Sequence, residues 1–136
     1  MTYEWDPENL AFLTAHTWAV LATGRSDGSP QQSMVGYVVD EQGCIIISAK
    51  AYTAKWKNAK RQPNVCLTVP DGRAHLVVYG IAEAIDTDPR RAELTADVFA
   101  VLMGSERADP KTLVESLDEQ ERTILRLQPS KTFFMA

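Results

Sequence analysis

Histidine is scarce in this chain, with only His16 and His75, and cysteine is no commoner, with only Cys44 and Cys66. Neither pair has metal-ligand spacing, so no metal site is expected. Both cysteines sit inside apolar runs and read as reduced core residues, and neither lone histidine is given a catalytic role. Paired catalytic carboxylates and a nucleophile elbow are also missing, which removes the visible machinery of the common hydrolases. No apolar run approaches the ~20 residues that a membrane helix needs. The stretch from Met1 to Asn9 is polar and acidic, unlike a secretory signal, and a cytoplasmic location is expected. With pI near 5.1 and net charge −4, the chain lacks the basic surface of a general nucleic-acid binder. Low-complexity sequence is absent, and 136 residues suit a single domain spanning 1–136.

Acid is missing from one stretch in particular. No Asp or Glu occurs between Glu41 and Asp71, yet Lys50, Lys55, Lys57, Lys60 and Arg61 fall within it. Like charges on a helix repel by roughly 0.2–0.5 kcal/mol per pair, and an anionic partner would relieve this. Thr53 is placed to cap a helix from Ala54 to Gln62, which Pro63 ends. Lys55, Asn58, Ala59 and Gln62 share one face of it, so Lys55 and Asn58 are expected to point inward, while Lys57, Lys60 and Arg61 point elsewhere. A helix N-terminus, the Thr53 hydroxyl and the Lys55 ammonium together would seat a phosphate. The alternative is a solvated basic helix.

Two buried strands flank this insert, one beginning at Cys44 with Ile45, Ile46 and Ile47, the other running from Val65 to Val69. Upstream, Asp6 and Pro7 cap a helix to about Ala15, with Trp5 and Leu10 in the positions of a hydrophobic staple. Thr17–Thr23 and Gln31–Val39 read as the arms of a hairpin around Ser26-Asp27-Gly28-Ser29. Gly36 marks a bulge or a close approach. Downstream, Pro70-Asp71-Gly72-Arg73 turns into a strand from Ala74 to about Ile85, interrupted by Gly80 as a bulge. Asp88-Pro89 starts a helix with Leu94, Val98, Val101 and Leu102 on its apolar face, which Gly104 stops, and Asp109-Pro110 starts another. Thr123–Leu127 reads as the last long strand, with Phe133 and Phe134 on a short terminal segment. The expected fold is mainly β with peripheral helices: a six-stranded antiparallel barrel.

The order of the Ser26-Asp27-Gly28-Ser29-Pro30-Gln31 turn, the Ile47-Ser48 strand end and the Thr53-Ala54-Lys55-x-x-Asn58 helix closed by Pro63 resembles the split β-barrel flavin and deazaflavin oxidoreductases, which include the pyridoxamine 5′-phosphate oxidase-like proteins. The resemblance covers most of the chain from Phe12 to Ile85, and Gln128 to Phe134 is similar to the family's closing Pro-containing strand. It implies a homodimer with cofactor in grooves at the subunit interface. It also implies that Ser48, Lys50, Thr53, Lys55 and Asn58 contact the phosphate and ribityl chain, and that Pro30, Gln31, Ser33 and Met34 line the ring. The pyridoxine phosphate oxidases proper carry Arg-x-x-Leu-Leu-Lys where this chain has Ser33-Met34-Val35-Gly36-Tyr37, so their vitamin substrate is not implied. The chain is closer in length, and in its Lys55 and Asn58, to the branch of reductases that use coenzyme F420, although an Arg is common there at the position of Thr53.

The expected activity is therefore an F420H2-dependent transfer of hydride to an unsaturated or quinone-like small molecule. FMN is the alternative cofactor, and a cofactor-binding module without turnover is the alternative outside enzymology. A cofactor that carries the reactivity needs few reactive side chains from the protein. Lys57, Lys60 and Arg61 are expected to meet the acidic tail of F420 at the groove mouth. Trp56, Tyr37 and Tyr79 are expected to serve packing first. The small barrel, with its apolar strand faces and the region of Trp56, is expected to need the cover of a second copy.

Overall fold

The computed structural model describes residues 2–136, as six strands and four helices. Helix α1 (Pro7–Thr14) begins where the Asp6 carboxylate accepts from the backbone N–H groups of Glu8 and Asn9. Strands β1 (Trp18–Gly24) and β2 (Pro30–Val39) form the first hairpin, in register from Trp18 opposite Gly36 to Gly24 opposite Pro30. Strand β3 (Ile45–Lys50) leads into α2 (Ala54–Arg61), and β4 (Asn64–Asp71) turns into β5 (Ala74–Ile85). Helices α3 (Arg90–Met103) and α4 (Pro110–Glu119) precede β6 (Arg122–Met135). All pairings are antiparallel and close in the order β1-β2-β3-β6-β5-β4.

Alternation with period two divides each strand between an interior and an outer face. Ala19, Leu21, Val35, Ile45, Ile47, Val65, Leu67, Val69, Leu76, Val78, Leu125 and Leu127 fill the interior, and Leu13 of α1 with Trp56 and Ala59 of α2 join the same cluster. The α1 end is fastened by the Tyr37 hydroxyl, which donates to the Leu13 carbonyl at 2.6 Å. A smaller cluster of Ile46, Ile85, Val98 and Ile124 seats α3 on the outer face of the sheet.

Four expectations change. Trp56 is buried within its own chain, so its region needs no partner's cover. Cys66 is only partly buried and faces outward from β4, while Cys44 is buried; both are free thiols. The terminal segment is not separate: β6 runs unbroken to Met135, with a register shift that leaves Ser130 unpaired between Pro129, opposite Gly80, and Lys131, opposite Tyr79. Beyond Leu127 this strand pairs only with β5, so it has a free edge there, where the missing N–H of Pro129 breaks no ladder. The two glycines stand as expected: the register shift falls at Gly80, where a Cβ would also strike the Gln128 carbonyl, and Gly36 is a close approach, since a Cβ there would lie 2.5 Å from Leu102 Cδ1. Lastly, α3 begins one residue later than expected, although Asp88 still accepts from the Ala92 N–H.

Candidate functional site

The expected basic helix forms, but its charges are distributed differently from what spacing alone suggests. Trp56, Asn58 and Ala59 make its buried face, and Gln62 stays exposed. A large ring at Trp56 gains more by burial than the edge positions do, so it sets the rotation of the helix. Lys60 lies 3.9 Å from Asp86. Arg61 donates to the Gly24 carbonyl at 2.8 Å and to the Asn58 side-chain oxygen at 3.1 Å. Two of the three outer cations are therefore engaged, and Lys57 remains exposed without an ion pair among the described residues.

Asn58 is buried with both ends of its amide in use, because its nitrogen also donates to the Thr23 hydroxyl at 3.2 Å. That hydroxyl donates in turn to Gln31 Oε1 at 3.2 Å, and Gln31 Nε2 donates to Ser33 Oγ at 2.9 Å. A continuous polar chain thus runs Arg61, Asn58, Thr23, Gln31, Ser33, from α2 to β2. Every member has a partner, and a satisfied network with Thr23 and Asn58 buried at its centre rigidifies what it joins. Asn58, Gln31 and Ser33 consequently lie together, but apart from the cleft at Lys55.

That cleft, of about 340 Å³, is lined by Ser48 of β3, Lys55 of α2, Met34 and Gly36 of β2, Trp18 of β1, Phe99, Leu102 and Met103 of α3, and Arg122 of β6. Ser48 and Lys50 point outward from β3, and Arg122 lies in register opposite Lys50. The Arg122 guanidinium is 3.4 Å from Ser48 Oγ, 3.1 Å from Gln120 Oε1, and over the Phe99 ring with its central carbon 5.5 Å from the centroid. The Lys50 ammonium lies 5.8 Å from the centre of the Tyr52 ring. Partial burial, and next the nearby charge of Arg122, push the Lys55 ammonium below the ordinary lysine range. Among the described residues no carboxylate lies within ion-pair distance of Lys50, Lys55 or Arg122.

The other expected residues are spread around this cleft. Thr53 occupies the N-cap position without a capping bond, because its hydroxyl donates to the Lys50 carbonyl at 2.7 Å. Pro30 lines a different hollow, of about 320 Å³, with Thr23, Asn64, Cys66, Tyr79 and Ser130. Met34 alone of the β2 set faces the cleft with Ser48 and Lys55. Sequence reasoning missed Arg122, which follows three acidic residues in the run from Asp118 to Glu121 and there reads as a neutralised surface charge. Its one signal is parity with Ile124 on the last strand. Only the pairing of β6 with β3, 74 residues from Ser48, places it at the site. No cluster of His, Cys, Asp or Glu fit to hold a metal occurs among the described residues, and no helix among them is long and apolar enough to cross a membrane.

A family profile described as pyridoxamine 5′-phosphate oxidase matches residues 5–136. Among solved structures, a conserved hypothetical protein from Mycobacterium tuberculosis superposes with a TM-score of 0.82 at 22% identity, over 98% of this chain and 85% of that one. A protein named F420 reductase superposes with a TM-score of 0.68 at 23% identity, over 90% of this chain and 94% of its own. A heme binding protein from Mycobacterium smegmatis gives 0.66 at 17% identity, over 98% of this chain and 55% of that one. At these identities the likeness is one of fold, and a barrel shared by proteins with such different names leaves the ligand to be argued from the site.

Proposed function

Because the chain belongs to the pyridoxamine 5′-phosphate oxidase family, we propose that it is an oxidoreductase working with a flavin-type cofactor, and that this cofactor is F420. The observation that carries the reading is the uncompensated positive charge around Ser48 and Lys55, at the end of a cleft whose remaining wall is apolar. The donor set fits an anionic tail: a hydroxyl, ammonium groups and no competing carboxylate. Ser48, Lys50 and Lys55 hold that tail, and the Thr53 hydroxyl joins them by exchanging its bond to the Lys50 carbonyl for one to the tail. Met34 and Trp18 offer exposed apolar surface for a ring, and the polar chain from Arg61 to Ser33 fixes β2, so that this surface is held in place. Pro30 borders the same strand at its turn, and Asn58 acts as the anchor of the chain.

When bound, a reduced deazaflavin supplies a hydride to an unsaturated or quinone-like acceptor. The protein's part is to hold ring and acceptor at reacting distance and to keep water away, which asks for orientation rather than for a reactive side chain. A second copy packed on the outer face of β1 and β4 would finish the enclosure, which makes the working unit a homodimer.

FMN is the second reading, and one observation favours it. Lys60 is taken by Asp86, and Arg61 by Gly24 and Asn58, so fewer cations remain to meet a long acidic tail. Fluorescence titration with F420 and with FMN, each at low and high salt, separates the two. The expected result is tighter, salt-sensitive F420 binding that weakens about ten- to a hundredfold in Lys55→Ala, the loss of one charge-assisted contact. Tighter FMN binding, with F420 indifferent to salt, would replace the first reading by the second. Binding of neither would remove both.

A further inference from the structure

We propose that Arg122 is the second jaw of the anion seat, gripping a phosphoryl-bearing ligand tail of two or more negative charges against Lys55 and Ser48. The proposal rests on the cofactor reading above, but its evidence is separate. Arg122 belongs to the last strand and no sequence motif on the basic helix includes it.

Three features of the molecule lead to it. First, the like charges are in register: Lys50 and Arg122 are cross-strand partners, an arrangement that destabilises a sheet unless something anionic sits over the pair. Second, Arg122 is aimed rather than loose. Its Nε donates to Gln120, its central carbon lies 5.5 Å from the Phe99 ring centroid, and Nη1 faces Ser48, so little side-chain freedom is lost when it binds. The chain enters β6 through Glu121, held at a φ of 54°, whose carbonyl accepts from the Ala51 N–H at 2.7 Å, and this bond ties the start of β6 to the segment that follows β3. Third, Lys55 of α2, Ser48 of β3 and Arg122 of β6 line one cleft, and the Arg122 guanidinium is 3.4 Å from Ser48 Oγ. A guanidinium fork, an ammonium and a hydroxyl converging on one volume match a tetrahedral oxyanion better than a planar carboxylate, for which one fork suffices.

The charge to be matched has two sources, a terminal phosphate dianion as in FMN, or a phosphodiester with a neighbouring carboxylate as in F420. Pyrophosphate is the probe common to both. Calorimetric titration of the whole protein with pyrophosphate, at fixed ionic strength, is compared for wild type, Arg122→Gln, Arg122→Lys and Lys57→Gln. The expected result is about ten- to a hundredfold weaker binding in Arg122→Gln, partial recovery in Arg122→Lys, and little change in Lys57→Gln. Because Arg122 also packs on Phe99, a measurement on the wild type accompanies these: pyrophosphate should protect Arg122 from phenylglyoxal, read by peptide mass. Equal affinity in wild type and Arg122→Gln, or unprotected modification, would overturn the proposal. The same variants titrated with FMN and F420 separate the two claims. A cofactor that binds indifferently to Arg122 leaves the cofactor reading standing and this one refuted, while Arg122-dependent pyrophosphate binding without affinity for either cofactor does the reverse.

Discussion

Lys50 and Arg122 stand directly opposite one another on β3 and β6, two cations in register beside the half-buried ammonium of Lys55. Like charges in this position cost the sheet up to about 1 kcal/mol. Neutralising one of them should therefore stabilise the ligand-free protein, even as it weakens anion binding. Urea unfolding of Lys50→Gln is expected to give an unfolding free energy higher by ~0.2–1 kcal/mol at low salt, with the gain shrinking as salt is added. A variant less stable than wild type at low salt would mean that the Lys50 contact with Tyr52 outweighs the repulsion.

This pair also marks the limit of what the sequence displays. Turn chemistry and caps are local, so Asp6, Asp109, Gly104 and the Ser26–Ser29 turn could be read directly, and with them the strand count and the barrel. Long-range pairing is not local. The acid-free stretch drew attention to Lys60 and Arg61, whose partners, Asp86 and Gly24, lie far along the chain, whereas the uncompensated Arg122 sat hidden behind Glu121. The end of the chain shows the same limit: that Phe133 and Phe134 continue β6 past Pro129 follows from its free edge, and edges are known only once the register is.

The two interior glycines should differ in cost when enlarged. A methyl on Gly36 meets the branched end of the half-buried Leu102 side chain, which can turn aside. A methyl on Gly80 meets the Gln128 carbonyl beside the bulge, and backbone has nowhere to go. Gly80→Ala is expected to cost about 1–3 kcal/mol or more and Gly36→Ala less than about 1 kcal/mol. Gly36→Ala should nevertheless disturb ligand binding, since Gly36 and Leu102 both line the cleft. Chemical denaturation ranks the pair, and the reverse order would show that the β5–β6 ribbon yields more easily than α3.

His16 should give the fold a pH dependence. Its Nδ1 lies 2.7 Å from the Phe12 carbonyl and its Nε2 lies 3.0 Å from the Asp71 carboxylate, and neither oxygen can donate. Both contacts are hydrogen bonds only when both ring nitrogens carry protons. The Phe12 carbonyl, and after it Asp71, raise the imidazole above its ordinary value. A group raised in the folded state contributes stability that is complete below the unfolded value of about 6.5 and fades as pH climbs through the folded value. The melting temperature should thus fall between about pH 6 and 8 in wild type, and should do so less in His16→Gln. Parallel pH profiles for the two proteins would sink the assignment.

The last expectation concerns the outer face of the barrel that runs from the cleft across β1 and β4. Met34, Val20, Thr68, Val77 and Phe133 are successive cross-strand neighbours on β2, β1, β4, β5 and β6, a row with no charge in it. Met34 is 62% exposed, and Trp18, one row away, 56% exposed. An uncharged stripe of this length across five strands, flanked by Tyr79 and Ile81, marks an interaction surface more readily than a solvated one. Symmetric pairing through it would carry Met34 and the neighbouring cleft to the edge of the contact, so that loss of the dimer and loss of the cofactor site go together. Sedimentation of the wild type should report twice 15.1 kDa. Val20→Lys with Thr68→Lys places like charges from both copies in the contact and should yield a folded monomer with unchanged circular dichroism and much weaker cofactor binding. The outcome that would defeat this is a wild-type monomer that binds cofactor as well as any assembly does, for then the uncharged row would have some other occupant and each barrel would hold its ligand alone.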